Sequence, residues 1–141
     1  MTAILSKSVL FSKLLSILLV LFFSLLPFQQ DGMQMTVSEN ITASTQEIVV
    51  TCKNKTNREI SFTPEYTVEK QTENGWEPLE FSEGYGVNEI YITLVPMLEY
   101  TFTVNACDLA EPLSPGNYRL IKPFNSPAAT GCIAYTEFTV I

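Results

Sequence analysis

Leu113-Ser114-Pro115-Gly116-Asn117-Tyr118-Arg119-Leu120 is the stretch on which the fold turns. Pro115-Gly116 breaks the chain just before a strand-like run, Tyr118 to Ile121. A glycine two residues ahead of a tyrosine at the start of a strand is the pattern of a tyrosine corner. There the phenol hydroxyl bonds backbone a few residues upstream and fixes the turn between two strands.

Outward from that corner the chain reads as short strands and turns. On the N-terminal side, Tyr100, Phe102 and Val104 alternate with Thr101 and Thr103, giving one buried face. Ile90 to Val95 precedes them as another strand, separated by Pro96-Met97-Leu98-Glu99, with Gly84-Tyr85-Gly86 as a loop before it. Ser61 to Gln71 alternates with Phe62, Tyr66 and Val68 inward and ends at Glu73-Asn74-Gly75-Trp76. Asn-Gly between strand-like runs predicts a type I′ hairpin, which needs positive φ at both positions. Trp76, Leu79 and Phe81 then belong to the returning strand. Ile48, Val50 and Cys52 share one face of a β-branched strand, and Met35-Thr36-Val37 with Ile41 suggests a first short one. Lys53 to Glu59 is wholly polar and reads as loop.

On the C-terminal side, Pro123 to Gly131 reads as a long loop, and Ile133 to Ile141 as a last strand with Phe138 and Val140 inward. Seven or eight short strands with frequent turns, and no amphipathic helix, predict an all-β sandwich, since each strand offers one apolar face.

The first thirty of the 141 residues differ from the rest. Lys7 and Lys13 precede Leu14 to Leu26, an apolar run with Ser16 and Ser24 as its polar members. A basic start followed by such a run is the pattern of a secretory signal. No small-residue cleavage pattern follows in Pro27 to Gly32. Val9 to Phe28, interrupted by Lys13, reaches the roughly 20 residues that cross a bilayer. Residues 1–30 are therefore read as a signal peptide or an uncleaved signal anchor, and residues 31–141 as the sandwich domain. Export is expected, as a secreted chain or one held to the membrane by its N-terminus.

Charge and missing residue types narrow function. The chain carries 8 basic and 15 acidic residues and no histidine, for a net charge of −7. That balance disfavours nucleic acid, whose phosphates need Lys and Arg. Without histidine there is no Ser-His-Asp or Cys-His arrangement. A cell-wall glycan hydrolase working through paired carboxylates is the enzymatic alternative. Against it, Glu65, Glu69, Glu73, Glu77, Glu80 and Glu83 follow one hairpin and read as a solvated face. A calcium-binding, adhesion-type module is a second alternative, with Asp108, Glu111, Glu83 and Glu89 in loops but no D-x-D-x-D-G spacing. No metal and no cofactor is expected. Trp76 and Tyr85, beside the hairpin and the glycine loop, are the candidate ligand-binding aromatics for a protein or cell-surface glycan. The bland reading makes them core or strand cover.

In order and spacing, Val50-Thr51-Cys52-Lys53-Asn54-Lys55-Thr56, Tyr66-Thr67-Val68-Glu69-Lys70, Asn74-Gly75-Trp76 and Pro115-Gly116-Asn117-Tyr118-Arg119-Leu120-Ile121-Lys122 with Phe124 carry a resemblance. Over residues 35–141 the chain resembles a family of bacterial immunoglobulin-like domains found in small exported proteins, mainly of Gram-positive bacteria. The resemblance implies an immunoglobulin-like β-sandwich of about seven strands, extracytoplasmic and without catalytic residues. It implies Gly116 and Tyr118 as the structural corner. In antibody domains the residue two beyond that tyrosine is Cys, whereas Leu120 stands here, so an apolar contact should replace the inter-sheet disulfide. Members commonly carry an aromatic pair where this chain has Ala106-Cys107-Asp108-Leu109, and the Pro123 to Gly131 stretch is also unusual. Within such a fold the strand holding Cys52 should end near the start of the last strand, making Cys52–Cys132 the more plausible bridge. Three free thiols, with Cys107 at the other end, is the alternative.

Overall fold

A computed structural model describes residues 32–126 and 129–141. The basic-apolar segment read as signal or anchor lies outside them. The strands are β1 Met33–Val37, β2 Glu47–Asn54, β3 Ile60–Phe62, β4 Thr67–Thr72, β5 Gly75–Pro78, β6 Ile92–Leu94, β7 Glu99–Asn105, β8 Gly116–Ser126 and β9 Ala129–Val140. A 3-10 turn, Ala106–Asp108, follows β7. One antiparallel sheet runs β1-β2-β7. The other runs β5-β4-β8-β3-β6, with β9 along the remaining edge of β8.

The core lies between the two sheets and follows the two-residue period of the strands. Met33, Met35, Ile48, Val50, Cys52 and Val104 face inward from the smaller sheet. Ile60, Phe62, Val68, Tyr118, Leu120, Phe124, Ala134 and Val140 meet them from the larger one. Phe62 ties the layers together: its ring packs edge-on against Tyr100 of β7 at 5.0 Å and against Phe124 of β8 at 5.1 Å. Edge-to-face pairs of this kind add stabilisation beyond the area they bury.

Three features differ from the pattern in the sequence. The run from Ser61 to Gln71 is two strands laid end to end along β8, with Ser61 across from Asn125 and Thr67–Lys70 across from Tyr118–Ile121. Pro64 lacks an N–H, and it interrupts the ladder where β8 itself carries Pro123. The hairpin at Asn74-Gly75 does form, but positive φ is confined to Gly75 (106°), so the turn is not type I′. A left-handed glycine closing the turn is the bulged form of a longer hairpin loop. It returns only as far as Pro78, while Phe81 makes an isolated bridge to Leu109. The supposed Pro123 to Gly131 loop is mostly strand, because β8 and β9 pair from Gly116↔Val140 to Phe124↔Cys132 and on to Ser126↔Ala129. Long cross-strand pairing outweighs the turn propensity of Pro and Gly here. Among the described residues the strands accordingly number nine.

Candidate functional site

The corner sequence builds a rigid turn. The Tyr118 hydroxyl donates to the Ser114 carbonyl at 2.8 Å and accepts from the Ser114 N–H at 3.1 Å. Gly116 has a φ of 151°, and a Cβ there would come within 3.2 Å of Lys70 Cε. Lys70 donates to Ser114 Oγ and lies over the Tyr118 ring, 5.4 Å from its centroid. Tyr118→Phe removes both bonds and leaves a backbone carbonyl and N–H unpaired. It should lower unfolding free energy by about 1–3 kcal/mol in urea titration, with the fold retained.

Beside the corner opens a cleft of about 410 Å³, lined by Lys70, Glu77, Glu80, Glu111, Ser114 and Tyr118 among others. Ser114 and Lys70 touch, but the ammonium donates to the hydroxyl and so does not accept its proton. Glu77, Glu80 and Glu111 are solvent-exposed. A glycosidase acid stands instead in an apolar wall that keeps it protonated. Among the described residues no three His, Cys, Asp or Glu side chains converge as a metal site.

Trp76 and Tyr85 stand apart. Trp76, on β5, lies across from Gln71, and the Arg119 guanidinium stacks on its ring at 4.7 Å while pairing with Glu69. The amides beside it are engaged: Asn117 donates to Gln71 and accepts from Thr139. Tyr85 stacks on Phe81 at 4.2 Å, and Phe81 packs on Tyr66 just before β4. Tyr66 and Gln71 are five residues apart, roughly 17 Å along an extended strand. Burial first, then the hydrogen bond with Tyr85, pushes the Tyr66 phenol far above its ordinary range. Tyr85 thus joins a ring cluster, and the two aromatics do not share a site.

Lys122 is the unexpected core residue. It occupies an inward position between Leu120 and Phe124 and is fully buried. Its Nζ donates to the Thr63 carbonyl at 2.7 Å and the Glu65 carbonyl at 2.9 Å, the groups that the β3–β4 break turns inward. Phe62, Phe102 and Phe124 surround the ammonium at 4.9, 5.3 and 5.9 Å from their ring centres. Burial lowers its pKa to about 8, with Cys52 and Glu65 pulling in the opposite direction. Burial likewise pushes the Cys52 thiol up to about 11, with Lys122 pulling the other way. Cys52 is a buried free thiol and Cys107 an exposed one. The side chain of Cys132 is outside those described, and a Cys52–Cys132 bridge with it.

The accessible apolar surface collects at β6. Val87, Ile90, Tyr91, Val95, Met97 and Leu98 are six of the nine large apolar residues standing exposed among the described residues. Tyr91 is 76% exposed and Met97 61%. β6 pairs with β3 and ends its sheet, and β7 ends the other. The chain steps between them through Val95–Leu98, where Met97 takes a positive φ of 67°. Apolar side chains therefore flank a strand edge that no strand among the described residues takes, on one side of the sandwich.

The family described as "Bacterial Ig-like domain" matches residues 29–139. The chain belongs to that family. No curated protein matches this Ig-like domain. Among solved structures, it is similar to the archaellum periplasmic stator protein FlaG of Sulfolobus acidocaldarius. The two share 17% identity at a TM-score of 0.44, over 75% of this chain and 99% of the other.

Sequence reasoning did not single out the β6 side of this Ig-like domain. Its signal was present in Ile90-Tyr91-Ile92-Thr93-Leu94-Val95, where apolar residues fall on both parities. A strand with one wet face shows them on one parity only. Lys122 and Asn54, both fully buried, gave no such signal.

Proposed function

We propose that this Ig-like domain is a non-enzymatic binding or structural module that works outside the cytoplasm and contacts a protein through its β6 side. The carrying observation is the concentration of exposed apolar side chains from Val87 to Leu98 beside an open sheet edge. Exposed apolar patches of this kind mark interaction surfaces. The basic-apolar start, Lys7 and Lys13 before Leu14 to Leu26, supports export to the membrane or beyond it. A glycan platform at Trp76 is less favoured, since Arg119 covers its ring and the neighbouring amides are already paired.

A photo-activated cross-linking residue placed at position 91 in intact cells tests the reading. The expected result is a protein adduct from position 91, none from position 139 on β9, and digestion of the chain by external protease after the outer layers are opened. A chain that stays protected in the cytoplasm, or a position 91 that gives no protein adduct, would overturn it.

A further inference from the structure

We infer that the partner of this edge is a second copy of the same chain, joined by antiparallel pairing of β6 with β6 about a two-fold axis at Thr93. This rests on the reading of the β6 side as the contact surface. Its backbone is available: β3 takes one edge, through Ile60↔Leu94, Ser61↔Thr93 and Phe62↔Ile92, and no strand among the described residues takes the other. Edge strands are normally guarded by shortness, a charge, a proline or a bulge, and β6, three residues long, has the first of these. Ile90 to Val95 contains no charged residue and no proline.

The side chains suit a self-complementary register. Leu94 is buried and Ile92 half-buried, so Tyr91, Thr93 and Val95, all exposed, share the outer face. Pairing centred on Thr93 sets Tyr91 across from the second copy's Val95, and Val95 across from the second copy's Tyr91. Aromatic and β-branched residues directly opposite one another are a favourable cross-strand combination. An isologous contact of this kind closes on itself and needs no third partner.

Charge selects the antiparallel arrangement. At the Ile92 end stand Glu89 and Glu65, both exposed acids. At the Leu94 end stand Lys53, Lys55 and Arg58 with Glu59 and Glu99, an excess of one positive charge. Arg58 is held there because its carbonyl and that of Leu94 share the Asn54 amide, each at 2.8 Å. A two-fold axis turns each acidic end toward the basic end of the other copy. From Arg58, at the end of β3, to Glu89 of the second copy is about two strand spacings, roughly 10 Å, which an arginine spans. Parallel pairing would set like ends together.

The test uses the full chain in detergent micelles. Sedimentation should show a dimer that Tyr91→Lys and Val95→Lys each convert to monomer. Glu89→Arg and Arg58→Glu should each raise the dimer dissociation constant about fivefold, and together restore it. With Cys107→Ser in place, Thr93→Cys should oxidise to a species whose cross-linked peptide joins position 93 to position 93, because opposed Cα atoms in such a pair lie about 5 Å apart. A dimer that yields no 93–93 peptide and survives Tyr91→Lys would overturn the inference by placing association elsewhere. A monomer at every concentration would overturn it too, yet leave the contact-surface reading standing if position 91 still cross-links to another protein in cells.

Discussion

Lys122→Ala is expected to destabilise the domain by about 3–4 kcal/mol, on the scale of truncating a buried aromatic residue. Two effects combine. The four-carbon stem fills space among Phe62, Phe102 and Phe124, and removing it leaves a cavity. The Thr63 and Glu65 carbonyls also lose their donor, inside a strand break that no backbone N–H among the described residues serves. Lys122→Met separates the two effects. It keeps the stem, loses both bonds and removes a buried charge, so it should cost only about 1–2 kcal/mol. Urea unfolding followed by Trp76 fluorescence reads both. Equal losses would mean that the ammonium, and not the stem, holds the break together.

The same residue sets an alkaline signature. Lys122 has a folded pKa of about 8 against an ordinary 10.5. Between those values the unfolded chain binds the proton more tightly, so stability rises with pH. Cys52 acts in the opposite sense, with a folded pKa of about 11 against 9.0. Its contribution is complete below pH 9 and lost as pH climbs toward 11. Tyr66, raised from 10.0, adds a further loss above pH 10. The midpoint of thermal unfolding should therefore climb from pH 8 to about 9, stay level to about 10 while Lys122 and Cys52 offset one another, and fall beyond that. In Lys122→Met the climb should vanish while the fall remains. A neutral amine can still donate to both carbonyls, so deprotonation does not open the break.

The sandwich was legible where burial follows parity. Ile48, Val50 and Cys52, then Phe62, Tyr66 and Val68, occupy the inner faces that their alternation assigns. Parity fails where a polar group points inward for reasons set by another strand. Lys122 sits at inward parity in β8, but its acceptors exist only because Pro64 interrupts the opposite strand fifty-nine to fifty-seven residues away, at Thr63 and Glu65. The Pro123 to Gly131 stretch misled for the reverse reason, since turn-forming residues were carried into a hairpin by the pairing on either side. The aromatics named as ligand contacts, Trp76 and Tyr85, are nine residues apart in the sequence but lie toward opposite ends of β4 in space. Tyr91 is exposed because it shares the outer face of β6 with Thr93 and Val95, opposite buried Leu94; that β6 ends its sheet is a property of topology and not of local pattern.

Asn54→Ala is the second large effect, about 3 kcal/mol, and it bears on function. Asn54 reads as part of a polar loop, yet it is fully buried and every polar atom of its side chain is engaged. Its Nδ2 donates to the Arg58 and Leu94 carbonyls, both at 2.8 Å, while Oδ1 accepts from Thr56 N at 3.0 Å and Thr56 Oγ1 at 2.6 Å. Its backbone meets Leu98 and Met97 at the crossover between the sheets. One side chain thus ties the end of β2 to the Leu94 end of β6. Alanine takes the amide donor from the Leu94 carbonyl and the acceptor from the Thr56 N–H, and leaves the Arg58 carbonyl with Thr56 Oγ1 alone. Asn54→Asp is expected to be worse, because a carboxylate would face the two carbonyls where the amide donated. Since the lost bonds hold the edge strand itself, amide exchange from Leu94 to Leu98 should quicken by more than tenfold while Leu120 and Val50 stay protected until global unfolding. Uniform acceleration across all these amides would show that Asn54 supports the whole sandwich and gives the β6 edge no separate hold.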